Sequence, residues 1–261
     1  MSILDKITAV KRLEVDGKRS LGVYECYKRI AGQSVRNRDI SMSDNLRKSE
    51  YGIIAEFKRR SPSKGTINES ADVAEVVSGY FKNGASACSV LTDTPFFGGS
   101  LSDLAIARNV APGHPILRKE FIISEEQIYE ASVFGANAIL LIASILSPEQ
   151  VDRFAALAHS LSMEVLLEIH DKSEINHYVE GIEMIGVNNR NLATFSTDIS
   201  NSTELLPFLP DEPVKVAESG ITTYDDLLNL REAGFGAFLI GERFMKNSSP
   251  ADALKLFLKN E

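Results

Sequence analysis

Short apolar runs alternate with amphipathic stretches along the chain from Gly52 onward, a pattern typical of βα units around a parallel sheet. Each run is followed by a stretch that predicts a helix with a polar start. Successive runs are separated by roughly 20–35 residues, the length of one strand, one loop and one helix. The pattern predicts an α/β fold, a closed (β/α)8 TIM barrel, with strands at Ile53–Lys58, Ala87–Thr92, Pro115–Lys119, Ala138–Ile142, Glu164–Ile169, Met184–Asn188, Val214–Ala217 and Ala237–Ile240.

Helix starts and the leading segment complete this outline. Ser124, Ser147 and Thr222 each precede acidic residues and can cap a helix. Residues 1–50 contain no βα unit and predict a helix from Ile3 to about Lys18, then a polar linker around Ala31–Asn45. We expect residues 1–261 to form a single barrel domain, with residues 1–50 as an extra N-terminal helical segment that caps the barrel.

Composition excludes several function classes. No apolar run reaches the roughly 18 residues of a membrane span, and the first residues lack the apolar stretch of a signal peptide. Cys26 and Cys88 lie far apart and are expected to be buried thiols in a reducing compartment, so we expect a cytoplasmic protein. The formal net charge of −8 argues against a nucleic-acid partner, although residues 1–60 hold 14 Lys and Arg against 8 Asp and Glu.

Polar side chains collect where the predicted strands end, the edge of a barrel that carries catalytic groups. Glu56 and Lys58 share a face of the first strand, so an ion pair is expected, either within a site or as a purely structural pair. The polar residues at strand ends are Glu56, Lys58, Lys119, Glu168, Asn188, Arg190, Glu218 and Ser219.

Glu168 lies in an apolar run, so its carboxylate needs a cation or a raised pKa. Lys119 and Lys58 are the two available cations. By alternation, Arg118 and Glu120 are expected to point outward and to be solvated. His170 is expected to face away from Glu168, and the four histidines show no metal-ligand spacing, so no metal is predicted.

Glycine-bearing turns at Gly220 and Gly241 follow the seventh and eighth strands. In such barrels, backbone amides and a helix N-terminus often bind phosphate at these two strands. Tight turn geometry is the alternative role for each glycine. No Walker-type loop is present, so the expected partner is a phosphorylated small molecule rather than a nucleotide.

The segment IAEFKRRSPSKG at residues 54–65 resembles the signature of the indole-3-glycerol phosphate synthase family. The likeness covers residues 52–258 and continues through PILRK at 115–119, LLEI at 166–169, IGVNNRNL at 185–192, VAESGI at 216–221 and LIG at 239–241. The resemblance implies a carboxy-lyase of tryptophan biosynthesis that needs no cofactor. Its reaction closes an indole ring on a carboxyphenylamino-deoxyribulose phosphate, with loss of carbon dioxide and water.

The resemblance also implies catalytic roles. Lys119 would protonate the ketone while a ring carbon attacks it, because a cationic acid must stand at that carbonyl. Lys58, Glu168 and Glu56 would remove hydroxide and a proton and stabilise the cationic intermediate. Asn188 would orient Glu168 or the substrate, and Ser219 belongs to the same implied set.

The implied binding residues form two groups. Arg190 would pair with the anthranilate carboxylate, while Phe97 and Leu192 resemble the apolar pocket positions around the aromatic ring, packing being their alternative role. The phosphate would lie against the N-terminus of the helix that adjoins the glycine turns, and Arg60 would supply a cation. The remaining members of that phosphate group are Ser61, Pro62, Gly220, Gly241 and Glu242.

Glu242 stands where some relatives have serine, and its carboxylate would repel phosphate if the side chain turned inward. Two other functions stay open at this point. A phosphoribosylanthranilate isomerase-type barrel would use a cysteine base on the first strand, where this chain has Glu56 and Lys58. A non-catalytic barrel acting as a binding subunit would have lost the charges at the strand ends. The resemblance also leaves open an association with other tryptophan-pathway enzymes.

Overall fold

Eight parallel strands close into a barrel in a computed structural model that describes residues 2–31, 39–191 and 195–260. Each strand pairs with the next along the chain, and the last pairs with the first. This confirms the predicted TIM barrel. The strands β1 to β8 are Ile53–Phe57, Ala87–Leu91, Ile116–Lys119, Ala138–Ile142, Glu164–Ile169, Met184–Asn188, Val214–Glu218 and Ala237–Ile240.

Three helices precede the barrel: α1 (Ile3–Ser20), α2 (Val23–Ala31) and α3 (Met42–Lys48). The others lie between or after the strands: α4 (Val73–Lys82), α5 (Thr94–Phe97), α6 (Leu101–Val110), α7 (Glu125–Val133), α8 (Pro148–Ser160), α9 (Ser200–Leu205), α10 (Tyr224–Ala233), α11 (Glu242–Met245) and α12 (Pro250–Leu258). Ser124 and Ser147 cap α7 and α8 as predicted, and the cap of α10 is Thr223, one residue after the predicted Thr222.

The helix with a polar start that is predicted after β5 is present, but it is short. That strand is followed by the short 3-10 helix Lys172–His177, which Asp171 caps. The connection from Ile169 to Met184 is the shortest in the barrel and leaves little room for a longer helix.

Alternate strands fill the barrel interior in layers, as this fold requires. One layer from β1, β3, β5 and β7 is apolar and fully buried: Ile54, Leu117, Leu166 and Val216. Two residues further along the same strands stand Glu56, Lys119, Glu168 and Glu218. Since side chains alternate along a strand, these four also point into the barrel. We call them the charged layer.

Helix α3 closes the end of the barrel where the strands begin, opposite the charged layer. Met42 and Leu46 are at most 1% exposed and belong to the interior cluster. The carboxylate of Glu164 holds the helix in place, since its Oε2 accepts the backbone N–H groups of Met42 at 2.6 Å and Ser43 at 2.9 Å. The linker predicted around Ala31–Asn45 is therefore wrong at both ends, where helical residues lie, and its middle, residues 32–38, falls outside the described residues.

Helix α1 lies at the other end of the barrel, where the strands finish. Side chains of α1 reach the cavity described below, and Lys11 of α1 is buried with its Nζ 3.1 Å from Glu120 Oε1. Helix α2 packs on α7, where the Tyr27 ring meets the Phe134 ring edge-on at 5.8 Å. Cys88 is buried in β2 as predicted, but the same expectation is wrong for Cys26, because α2 presents that residue to solvent. Among the described helices, none combines the length and apolar character that crossing a membrane requires.

Candidate active site

A cavity of about 440 Å³ opens at the carboxyl ends of the strands. Its volume lies in the range of small-molecule binding sites. The charged layer forms its floor, Phe97 and Phe121 stand on one side, and Gly220 and Gly241 stand on another. Ile3, Leu4 and Ile7 of α1 also line it. The leading segment thus contributes directly to the wall of the cavity.

Each carboxylate of the charged layer pairs with a lysine. Lys58 Nζ lies 2.5 Å from Glu56 Oε1, which is the pair expected from their shared face. Lys119 Nζ lies 3.1 Å from Glu168 Oε2 and also donates a hydrogen bond to Glu218. Of the two cations considered for Glu168, the structure therefore selects Lys119. Lys58 stays with Glu56 on β1.

The two carboxylates beside Lys119 differ in protonation. Burial raises the pKa of Glu218 to about 7, assisted by the negative charge of Glu168 and opposed by Lys119. Burial also opposes the charge of Glu168, but Lys119, His170 and a hydrogen bond from Asn188 outweigh it and lower that pKa. Burial acts against the charge of Lys119 as well, yet its carboxylate neighbours hold its pKa above the usual range. Near neutral pH, the layer thus contains a charged lysine, an ionised Glu168 and a Glu218 close to its titration point.

His170 contradicts its sequence expectation. Its Nε2 lies 3.4 Å from Glu168 Oε1, and its Nδ1 lies 3.4 Å from Glu174 Oε2. Residues two apart on an extended segment share a face, so His170 follows Glu168 to the same side. Burial would lower the pKa of His170, but the bond to Glu174 and the charge of Glu168 raise it. Glu168 therefore contacts a second group that can carry positive charge.

Glu218 is the member of the layer to which sequence reasoning gave no role. It is 1% exposed, and its Oε1 is buried without a hydrogen-bond partner among the described residues. The neighbouring strand makes space for it: a Cβ placed on Gly186 would stand 2.2 Å from that Oε1. A glycine inside an otherwise apolar strand was the signal that marked this position.

Glycines at the cavity have the steric roles named as alternatives. A Cβ on Gly241 would stand 2.3 Å from Glu56 Oε1. Gly220 has a φ of +83°, and a Cβ there would stand 2.6 Å from Thr197 Cγ2. Ser219, beside it, also adopts a positive φ of 67°, which is uncommon for a residue with a side chain. Both glycines line the cavity, so close packing does not exclude a ligand role.

The apolar side of the cavity is built from aromatic rings. The centroids of Phe97 and Phe121 lie 5.8 Å apart with the rings tilted by 37°. Phe97 is where the sequence placed an apolar pocket, whereas the structure adds Phe121, which the sequence did not single out. Leu192 lies outside the described residues.

The glycine side carries the polar loops. Ser61, Pro62 and Glu242 line the cavity as expected. Arg60 does not join them: its Nη2 donates to the carbonyls of Thr94 at 3.1 Å and Pro95 at 3.0 Å, so the expectation that Arg60 supplies the phosphate cation is not supported. The reason is local, because Arg60 lies in a two-residue strand that pairs with Gly65–Thr66 and directs the side chain toward α5.

Other cations occupy that side instead. Lys64, Arg190, Arg243 and Lys246 line the cavity. Arg190 donates to Ser63 Oγ at 2.8 Å and lies 3.5 Å from Glu242. Within the described ranges, no cluster of His, Cys, Asp and Glu side chains has the arrangement of a metal site.

Arg118 and Glu120, expected in solvent, are buried at 2% and 3% exposure. Both do point out of the barrel, but the helices cover that face. Arg118 donates to Thr92 Oγ1 at 3.1 Å, to the carbonyl of Gln127 at 2.7 Å and to Glu130 Oε2 at 2.6 Å.

The fold and the cavity define an α/β-barrel enzyme with acid–base groups at the carboxyl ends of its strands. Comparison with known proteins narrows this class. The family model of indole-3-glycerol phosphate synthase matches residues 4–257. The chain belongs to that family.

Similar proteins agree with this assignment. An indole-3-glycerol phosphate synthase of Bacteroides thetaiotaomicron is 49% identical over 257 residues, covering 98% of each chain. One of Variovorax paradoxus is 39% identical over 264 residues, covering 98% of this chain and 99% of its own. Among solved structures, a thiamine phosphate pyrophosphorylase of Pyrococcus furiosus matches with a TM-score of 0.61 at 12% identity, over 84% of this chain and 96% of that one. This last likeness concerns the fold alone.

Proposed function

We propose that the protein catalyses the ring closure of 1-(2-carboxyphenylamino)-1-deoxyribulose 5-phosphate to indole-3-glycerol phosphate in tryptophan biosynthesis. One new carbon–carbon bond forms, and carbon dioxide and water leave. The observation that carries the proposal is the charged layer at the cavity floor in a chain of this family, with Lys119 between two carboxylates. The two other functions considered from the sequence gain no support from any residue of this cavity.

Lys119 is suited to the first step. The aromatic carbon that bears the carboxylate attacks the ketone carbon, and the ketone oxygen takes a proton as its negative charge develops. Lys119 remains charged because its neighbours hold its pKa high, so it can stabilise that oxygen and donate the proton. Carbon dioxide then leaves, and its bonding electrons restore the aromatic ring.

The second step removes the new hydroxyl group as water. Lys58, which lies at the cavity, supplies the proton for this leaving group. A carboxylate takes the proton from the adjacent carbon, and we assign this to Glu168, which Asn188 and Lys119 keep ionised. Glu56 stabilises the cationic intermediate and holds Lys58. Glu168 and Glu218 share Lys119, so a change at one of these three residues should affect more than one step.

Binding follows the two sides of the cavity. The anthranilate ring lies against Phe97 and Phe121, and Leu192 stays a predicted member of that pocket. Arg190, which the sequence gave to the anthranilate carboxylate, pairs with Glu242 as Lys64 does, so we assign it to the phosphate instead. The phosphate lies beside Ser61, Pro62, Gly220 and Gly241, with Lys64 in the place first given to Arg60. Ser219 stays a predicted member of the catalytic set.

Residues 1–261 act as one domain in this proposal, with residues 1–50 as the extension that covers the barrel. The contacts of Ile3, Leu4 and Ile7 with the cavity support this division. A cytoplasmic location and an association with other tryptophan-pathway enzymes stay predictions.

An indole assay tests the function. The purified protein, given the carboxyphenylamino-deoxyribulose phosphate without metal or nucleotide, should produce new indole fluorescence. The chain has no tryptophan, so the protein contributes no indole signal of its own. A folded sample that forms no indole product over hours at micromolar enzyme would refute the proposal.

A further inference from the structure

Three loops at the glycine side of the cavity meet at the side chain of Glu242. Its Oε1 lies 3.6 Å from Lys64 Nζ, in the loop after β1. Its Oε2 lies 3.5 Å from Arg190 Nη2, in the loop after β6. Arg190 also donates to Ser63 Oγ at 2.8 Å. One carboxylate after β8 therefore binds cations from two other loops.

These contacts lie where the proposed substrate brings its phosphate. Lys64, Arg190 and Glu242 all line the cavity beside Gly220 and Gly241. Lys64 and Glu242 are partly exposed, with side-chain exposures of 55% and 37%, so each can move without disturbing the core. Before any ligand arrives, one carboxylate of the protein thus already pairs with both cations and offsets part of their charge.

A phosphate dianion and a carboxylate compete for the same donors. The dianion carries about twice the charge and presents three acceptor oxygens. It can therefore displace Glu242 from Lys64 and Arg190, with Arg243 and Lys246 as further cations at the cavity. An anion with a single charge gains less from Lys64 and Arg190 than is lost when Glu242 leaves them.

We propose that Glu242 is a specificity-determining residue, an internal anion that occupies Lys64 and Arg190 until the phosphate of the substrate displaces it. This inference rests on the proposed function. Glu242 lowers the affinity of the site for phosphate. It also excludes anions that carry too little charge to displace it.

Replacement of the carboxylate by a neutral amide tests this competition. In Glu242→Gln the two cations are free to meet phosphate, and affinity for inorganic phosphate should rise roughly 3- to 10-fold, the range expected from two partly exposed ion pairs. Phosphorus NMR titration of the intact protein measures it without any turnover. The KM for the substrate should fall by a similar factor, while kcat changes by less than about twofold.

The control is Glu232→Gln, which removes the same charge from an exposed position on α10. It should leave phosphate affinity within about 1.5-fold of wild type at 0.15 M salt, where a distant charge is screened. Unchanged or weaker phosphate binding by Glu242→Gln would overturn the inference, and so would an equal gain in the control. Because the titration needs no substrate, tighter phosphate binding in a protein that forms no indole would refute the proposed function alone.

Discussion

Lys119 and Arg118 are neighbours on β3 that carry the same charge to opposite faces of the barrel wall. Arg118 points outward and is bonded to a hydroxyl, a carbonyl and a carboxylate at 2.6–3.1 Å. Lys119 points inward, holds two carboxylates and faces a cavity of about 440 Å³. The side chains of Arg118 and Lys119 are 2% and 14% exposed, so both charges are largely withdrawn from solvent and burial alone does not tell function from structure.

The difference lies in what surrounds each pair. The carboxylate beside Arg118, Glu130, has a second cation in Lys18 at 2.5 Å, so its charge is compensated within the protein. The charged layer holds three carboxylates and one lysine. Even with Lys58 beside Glu56 and His170 beside Glu168, Glu218 keeps an oxygen without a partner in the described structure. Groups with a perturbed pKa beside a cavity are typical of acid–base sites, whereas a buried pair whose hydrogen bonds are all made under helices is typical of a structural role.

The largest effect expected is on the chemistry. Lys119→Met removes the proposed acid and should lower kcat by about 10³-fold, the range of a positioned proton donor. Initial rates of indole fluorescence measure this. Wild-type turnover by the variant would exclude Lys119 from the mechanism. Its stability should change less than that of the Arg118 variant, because Glu168 keeps contact with His170 and Glu218 can hold a proton.

Arg118→Met should show the opposite pattern. It leaves Lys18 as the cation beside Glu130 and removes three hydrogen bonds. We therefore expect a loss of about 3 kcal/mol in the free energy of unfolding. Urea unfolding measures the loss, and kcat per folded molecule should stay within about threefold of wild type. If Arg118→Met inactivates a fully folded protein, the division between the two faces is wrong.

A smaller effect follows from the raised pKa of Glu218. Its folded value is about 7 against an ordinary 4.5, so between these values the folded state holds a proton that the unfolded state releases. This contribution is complete below pH 4.5 and is lost as pH rises through about 7. From pH 5.5 to 7.5, wild type should lose about 2 kcal/mol of stability relative to Glu218→Gln. Parallel stability curves for the two proteins would contradict the assignment.

The sequence predicted the barrel well because a parallel strand buried on both sides leaves a strong apolar signal. Glu168 was recognisable as a special residue for the same reason, since a charge stands out in an apolar run. The prediction that the Arg118 side chain points out of the barrel was also correct. The prediction that Arg118 is solvated was wrong. Alternation shows to which face of the sheet a side chain points, but not whether helices cover that face.

The failures concern contacts that alternation along a strand does not describe. Arg60 carries the right charge for a phosphate, but a local pairing with Gly65–Thr66 sends it to carbonyls of α5. Cys26 was misplaced because α2 was not expected, and without the helix its exposed side was unknown. The role of Glu218 depends on Gly186, which lies on the neighbouring strand. A Cβ at Gly186 would stand 2.2 Å from Glu218 Oε1. No pattern along one segment contains such a distance.

That dependence gives the smallest of the expected effects. Gly186→Ala puts a Cβ against Glu218 Oε1 and should push the carboxylate away from Lys119. We expect kcat to fall roughly 10-fold, equal to about 1.4 kcal/mol, with a stability loss of about 1 kcal/mol from overpacking. Gly236→Ala is the matched control, since its Cβ would meet only Val214 Cγ1 at an ordinary 3.6 Å. Equal kcat in both variants would mean that the position of Glu218 does not matter to the chemistry, and the imbalance of the charged layer would then lose its functional meaning.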